Sequence, residues 1–126
     1  MDMQIVEPVR ADLHAIAGGK RRDAAELAAT LGSAHAIRVR CNGREDQYWR
    51  RYMSDMLRYE APERGGLRSS LVEGFNNAYT RTSAQYLNCD NRAIEAEARF
   101  ANDGRDISNR MATHYFPKDT RKRGPN

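Results

Sequence analysis

The chain is poor in most of what marks a specialised active site. It has two cysteines, Cys41 and Cys89, and no Cys-x-x-Cys pair. Its three histidines, His14, His35 and His114, are scattered, and no group of side chains has zinc-ligand spacing. Neither a nucleophile elbow nor a phosphate-cradling glycine loop is present. The sequence therefore calls for no metal, no cofactor and no catalytic residue. The longest apolar runs are a few residues, far short of the ~20 that cross a bilayer. No alternating run of β-branched residues occurs, which argues against a sheet. Lysine is scarce too, with Lys20, Lys118 and Lys122 the only ones, so nearly all the 21 cations are arginines.

What is present suits one small domain. The 126 residues are 40% apolar and 30% charged, with a net charge of +4, enough for one modest core. Arginine favours planar contact with carboxylate or phosphate. The two signs are interspersed, however, and the undiluted basic runs, Lys20-Arg21-Arg22 and Arg121-Lys122-Arg123, lie at the edges. They read first as solvated ends that aid solubility and second as a contact for an anionic partner. The opening Met1-Asp2-Met3-Gln4 is polar and runs into Glu7-Pro8 without the apolar segment of a secretory signal. A cytosolic start and a chain whose signal has been removed read alike here.

Spacing predicts four helices. Residues 1–19 are weakly patterned, a flexible or partly helical arm in which Pro8 opens a short segment and Gly18-Gly19 breaks it. Helix one is expected over 22–40, on a stripe of Ala24, Leu27, Leu31, Ala34, Arg38 and Cys41, ended by Asn42-Gly43. Helix two is expected over 45–61, with Glu45 and Asp46 in its first turn, Trp49, Tyr52, Met53, Met56 and Leu57 on its stripe, and Pro62 as its stop. Helix three is expected over 67–88, where Gly74 would allow close packing beside Phe75. Helix four is expected over 91–115, capped by Asp90, with Asn102-Asp103-Gly104 as a point that kinks or splits it. Short turns between long helices favour antiparallel neighbours. The fold class is all-α, an up-down four-helix bundle over 20–116, followed by a basic disordered tail, 117–126.

In that topology helices one and three point the same way, and each ends at a cysteine. Cys41 and Cys89 then lie at one end of the bundle, close enough for a disulfide. Two buried free thiols are the other reading.

The motifs Leu31-Gly32-x-x-His35-x-x-Arg38-x-x-Cys41, Trp49-Arg50-x-x-Met53, Glu60-x-Pro62 and Phe75-Asn76-x-x-Tyr79, then Cys89 and a last helix with Gly104, Ile107 and Arg110, follow one another in order. Over about residues 25–115 the chain resembles a family of small, uncharacterised, usually exported bacterial proteins. The resemblance implies an envelope location and a Cys41–Cys89 disulfide, and it supplies no activity. The chain departs from the pattern in lacking the export signal and in carrying Ala36 where the family has an aromatic residue.

Several residues stand out as candidate sites. His35 and Arg38 are three apart on helix one, while Glu60 and Glu97 fall on stripes that otherwise read as core. A buried acid is costly unless paired. Arg38 is therefore expected to be largely buried, bonded to Glu60 or Glu97, and to fix helix register. The sharper alternative is a His-Arg-Glu pocket that binds an anion or moves a proton. Trp49, Tyr52, Tyr79, Tyr86 and Tyr115 read as plain core before they read as the lining of a ligand groove. Asn76 and Asn77, poor helix formers in mid-helix, either bond across helices or, with Tyr79, face a partner. The favoured function is an exported helical binding or structural module of the cell envelope, periplasmic, with an envelope protein or an anionic polymer as partner. A cytosolic nucleic-acid-binding protein is the alternative, disfavoured by interspersed acids. An enzyme using the His/Arg/Glu pocket comes third.

Overall fold

The structure, a computed structural model, describes the backbone of residues 3–115 and the side chains of residues 19–113. It consists of α1 (Met3–Asn42), α2 (Tyr48–Glu60), α3 (Gly66–Gln85) and α4 (Asn91–Tyr115), with no strand among the described residues. The expected basic tail, 117–126, lies outside them.

Cross-helix contacts give the directions. Arg38 meets Glu97, Leu27 and Thr30 face Gly104, and Asp23 meets Arg110, so α4 runs antiparallel to α1. Ser33 accepts a buried hydrogen bond from Thr82 at 2.7 Å, and Arg40 reaches Ser83 and Tyr86, so α3 runs parallel to α1. The bundle is therefore up-down-up-down, but it is not a square. α1 sits in the middle and packs against each of the other three, which touch one another little among the described residues.

The composition of α1 explains that position. Ala24, Ala28, Ala34 and Ala36 are all buried, so neighbouring axes can come close on several sides. Ala36 is 2% exposed. The closest approach is at Gly32, where a Cβ would overlap the carbonyl oxygen of Phe75 in α3. Gly74, the expected point of close packing, has open space where a Cβ would stand. Around α1, Leu27, Leu31, Met53, Leu57, Leu71, Phe75 and Ile107 form the main core.

The helix ends follow local chemistry, with four departures from expectation. Gly43 ends α1 at φ +99°, its amide donating to the carbonyl of Val39 at 2.8 Å, as the Asn42-Gly43 pair predicts. Asp90 caps α4 by accepting from the Ala93 amide at 3.0 Å. In contrast, α1 continues through Gly18-Gly19, because each glycine lowers helix stability by only ~1 kcal/mol and extending a formed helix is easy. Similarly, α4 is unbroken through Asn102-Asp103-Gly104, where Gly104 is buried and a Cβ in its place would make ordinary contact with Leu27 and Thr30. α2 starts at Tyr48 rather than Glu45, because the Asp46 carboxylate accepts the Tyr48 amide from outside the helix. α3 stops at Gln85, because Arg40 donates to the carbonyls of Ser83 and Tyr86 at 2.9 and 3.0 Å and satisfies the helix end from α1. Cys89 thus stands in the connection to α4, not on α3. It is bonded to Cys41 with a Cα–Cα separation of 5.0 Å.

Candidate functional site

Site geometry begins at the turn between α1 and α2. Asp46 accepts from the Arg38 Nε at 2.9 Å, the Asn42 amide at 2.7 Å and the Tyr48 backbone at 3.0 Å. The Asn42 bond, followed by those from Tyr48 and Arg38, holds its carboxyl below the usual carboxylate range. The Arg38 guanidinium lies 4.6 Å from the centre of the Tyr48 ring, and its Nη1 is 3.6 Å from Glu97. Glu97 also accepts from the Trp49 indole at 2.8 Å. The chain Asp46–Arg38–Glu97–Trp49 thus pins the start of α2 to both α1 and α4.

Beyond that pin, α2 and α4 diverge over α1 and leave an open groove of about 980 Å³. Leu27, Leu31, Met56 and Met111 contribute its apolar lining. One wall is aromatic. Tyr48 meets Trp49 edge-on at 4.8 Å, and Tyr52 lies 5.3 Å from Trp49. Tyr59 continues that wall. The α4 wall carries the small residues Ala101, Gly104, Ser108 and Ala112 together with Arg105, and Arg38, Asp55 and Glu60 add charge to the lining. Tyr52 is 52% exposed and Tyr59 78%, so the plain-core reading fails for this part of α2. A wall of rings facing a wall of mostly small residues leaves a channel that no described side chain fills. The signal lay in the sequence, where small residues of α4 recur at helical spacing beside its apolar stripe.

The expected polar site is only partly assembled. Arg38 does pair with Glu97, more loosely than with Asp46, which the sequence reading missed. Its side chain is 31% exposed, not largely buried, because the turn that carries Asp46 lies at the edge of the bundle. Glu60 is the last residue of α2 and stands at the opposite end of that helix from the Arg38–Tyr48 contact. His35 faces elsewhere. It is 7% exposed and packs between Phe75 and Tyr79, with ring centroids at 5.6 and 5.3 Å. Its Nδ1 is enclosed and finds no hydrogen-bond partner among the described residues. Burial, and secondarily the Arg50 charge, lowers its pKa from the ordinary imidazole value. Three residues along a central helix are a rotation of ~60°, enough for His35 and Arg38 to meet different neighbours. A joint His-Arg-Glu pocket is therefore not formed.

Asn76 and Asn77 are exposed on α3, outside the groove lining, and Tyr79 is half-buried against His35. Among the described residues no three His, Cys, Asp or Glu side chains gather in a way that would hold a metal ion. The groove can bind an apolar surface.

Residues 21–115 match the model of a family described as Protein of unknown function (DUF2385). No curated protein and no solved structure matches the chain.

Proposed function

The chain belongs to that family of proteins of unknown function, and from its own geometry we propose that it is an exported helical binding module of the bacterial cell envelope whose α2–α4 groove receives an amphipathic helix. The observation that carries this reading is the groove itself, with an apolar floor of Leu27, Leu31, Met56 and Met111, charged side chains (Arg38, Asp55, Glu60, Arg105) along its lining, and the exposed rings of Tyr52 and Tyr59 on its wall. Amphipathic helices bind such grooves by laying down their apolar face. Aromatic side chains suit the task because they give large contact area at small entropic cost. The Cys41–Cys89 bond supports the exported half of the reading, since such bonds persist in oxidising compartments and are rare in a reducing cytosol.

Trp49 is the only tryptophan and stands in the groove wall, so the protein carries its own reporter. Titration with an idealised Leu/Lys amphipathic helix is expected to shift Trp49 emission to the blue. The substitution Tyr52→Ala should weaken that binding about tenfold, and a Trp49 that stays unresponsive to saturating peptide in monomeric protein would sink the groove reading. The location has its own test. Protein taken from native cells quenched with an alkylating agent should resist labelling at Cys41 and Cys89, whereas two labelled thiols would place it in a reducing compartment.

A further inference from the structure

α1 is much longer than the bundle it organises. It has 40 residues, and α4, antiparallel to it, has 25. With Asp23 level with Arg110, the end of α4 at Tyr115 falls beside about residue 18–20 of α1. Some 16 residues, or roughly 24 Å of helix at 1.5 Å per residue, therefore run past the bundle. Their sequence is amphipathic. Ile5, Val6, Val9, Leu13 and Ile16 fall within an arc of about 100° on a helix, while Glu7, Arg10 and His14 fall outside it and Asp12 borders it. An apolar stripe of that kind in the sequence calls for a cover.

The groove supplies a cover of matching size. Along α1 it extends from Leu27 to Arg38, and along α2 from Tyr48 to Glu60. The spans are eleven and twelve steps, about 16–18 Å, close to the eleven from Ile5 to Ile16 on the arm. The groove residues Tyr59, Met111 and Ala112 lie at the end where α1 leaves the bundle. An unbroken α1 points its arm away from its own groove, so the arm cannot fill it from within the chain.

We propose that two copies of this chain pair by exchanging arms, each laying the Ile5–Ile16 stripe of α1 into the α2–α4 groove of the other. The α1 helices then run antiparallel about a two-fold axis near residue 21, and the contact is made twice, as a self-complementary interface requires. This rests on the reading of the groove as a helix-receiving site and names its resident helix. An external helix would reach the groove only by displacing the arm.

Sedimentation of the full-length chain decides the matter. Wild type is expected to be a dimer. Leu13→Glu should raise its dissociation constant by roughly a hundredfold or more, because each dimer loses two apolar seats. Leu13→Met should remain a dimer, and Tyr52→Ala, altering the groove side, should also weaken it. Leu13→Glu should leave the thermal midpoint of the monomeric bundle unchanged while shifting Trp49 emission to the red. A monomeric wild type overturns the proposal, whether its arm folds back onto its own groove or binds anionic lipid vesicles. A dimer indifferent to both Leu13→Glu and Tyr52→Ala overturns it as well. A monomer whose Trp49 still answers to an added amphipathic helix would sink the exchange and leave the groove reading standing.

Discussion

Gly32 and His35 act one turn apart on the same face-to-face contact between α1 and α3. Gly32 sets its distance, since a Cβ there would overlap the Phe75 carbonyl, a backbone atom that cannot swing aside. Gly32→Ala should therefore lower stability by about 1–3 kcal/mol despite the better helix propensity of alanine. A denaturant series reading an unchanged midpoint would show that α3 moves freely. His35 makes the same contact sensitive to acid. Its folded pKa is lowered from 6.5, so below that pH the unfolded chain takes up a proton that the folded one refuses. Stability should fall as pH drops from about 6.5 toward the folded pKa, and His35→Met should flatten that slope in urea unfolding.

Among the elements, α2 depends most on a few side chains. Asp46 receives the Tyr48 amide, Arg38 and Asn42, so Asp46→Ala should cost about 1–2 kcal/mol and loosen the groove wall, seen as a red shift of Trp49 emission. The carboxyl is depressed in the folded state, so this contribution is present above the ordinary value of 3.8 and is lost as pH falls below it. The same elements show what a sequence can and cannot reveal. The start of α4 was legible because Asp90 caps it locally, and the end of α1 because Asn42-Gly43 turns it locally. The end of α3 was not, because its carbonyls are satisfied by Arg40, more than forty residues away in the chain. Arg38 was legible as a partner of Glu97, but Asp46 was read as a helix residue rather than as the anchor of a turn. The groove was only half legible, since the small residues of α4 recur at helical spacing but their opposite wall could not be placed. Spacing identifies the stripes that want burial, but not which pair of helices will stand apart.

For the whole molecule the Cys41–Cys89 bond is the largest single constraint. It closes a loop of 48 residues that holds α2 and α3, worth roughly 4 kcal/mol in the chain-entropy picture. Reduction should lower the melting midpoint by on the order of 10 °C or more. An unchanged midpoint in reductant would mean that packing around α1 holds this end without help. The bond also lies at the far end of the bundle from the start of α1 and the end of α4, which leave the bundle at one end on antiparallel helices. Tension applied to the chain at those two points peels α1 from α4, beginning at Asp23–Arg110 and moving one contact at a time toward Glu97 and Arg38. It stops at the sulfurs. The enclosed segment, about 170 Å of chain when extended, never enters the load path, so under pull the molecule behaves as a short tether with a fixed stop, and reduction lengthens it by that amount in one step.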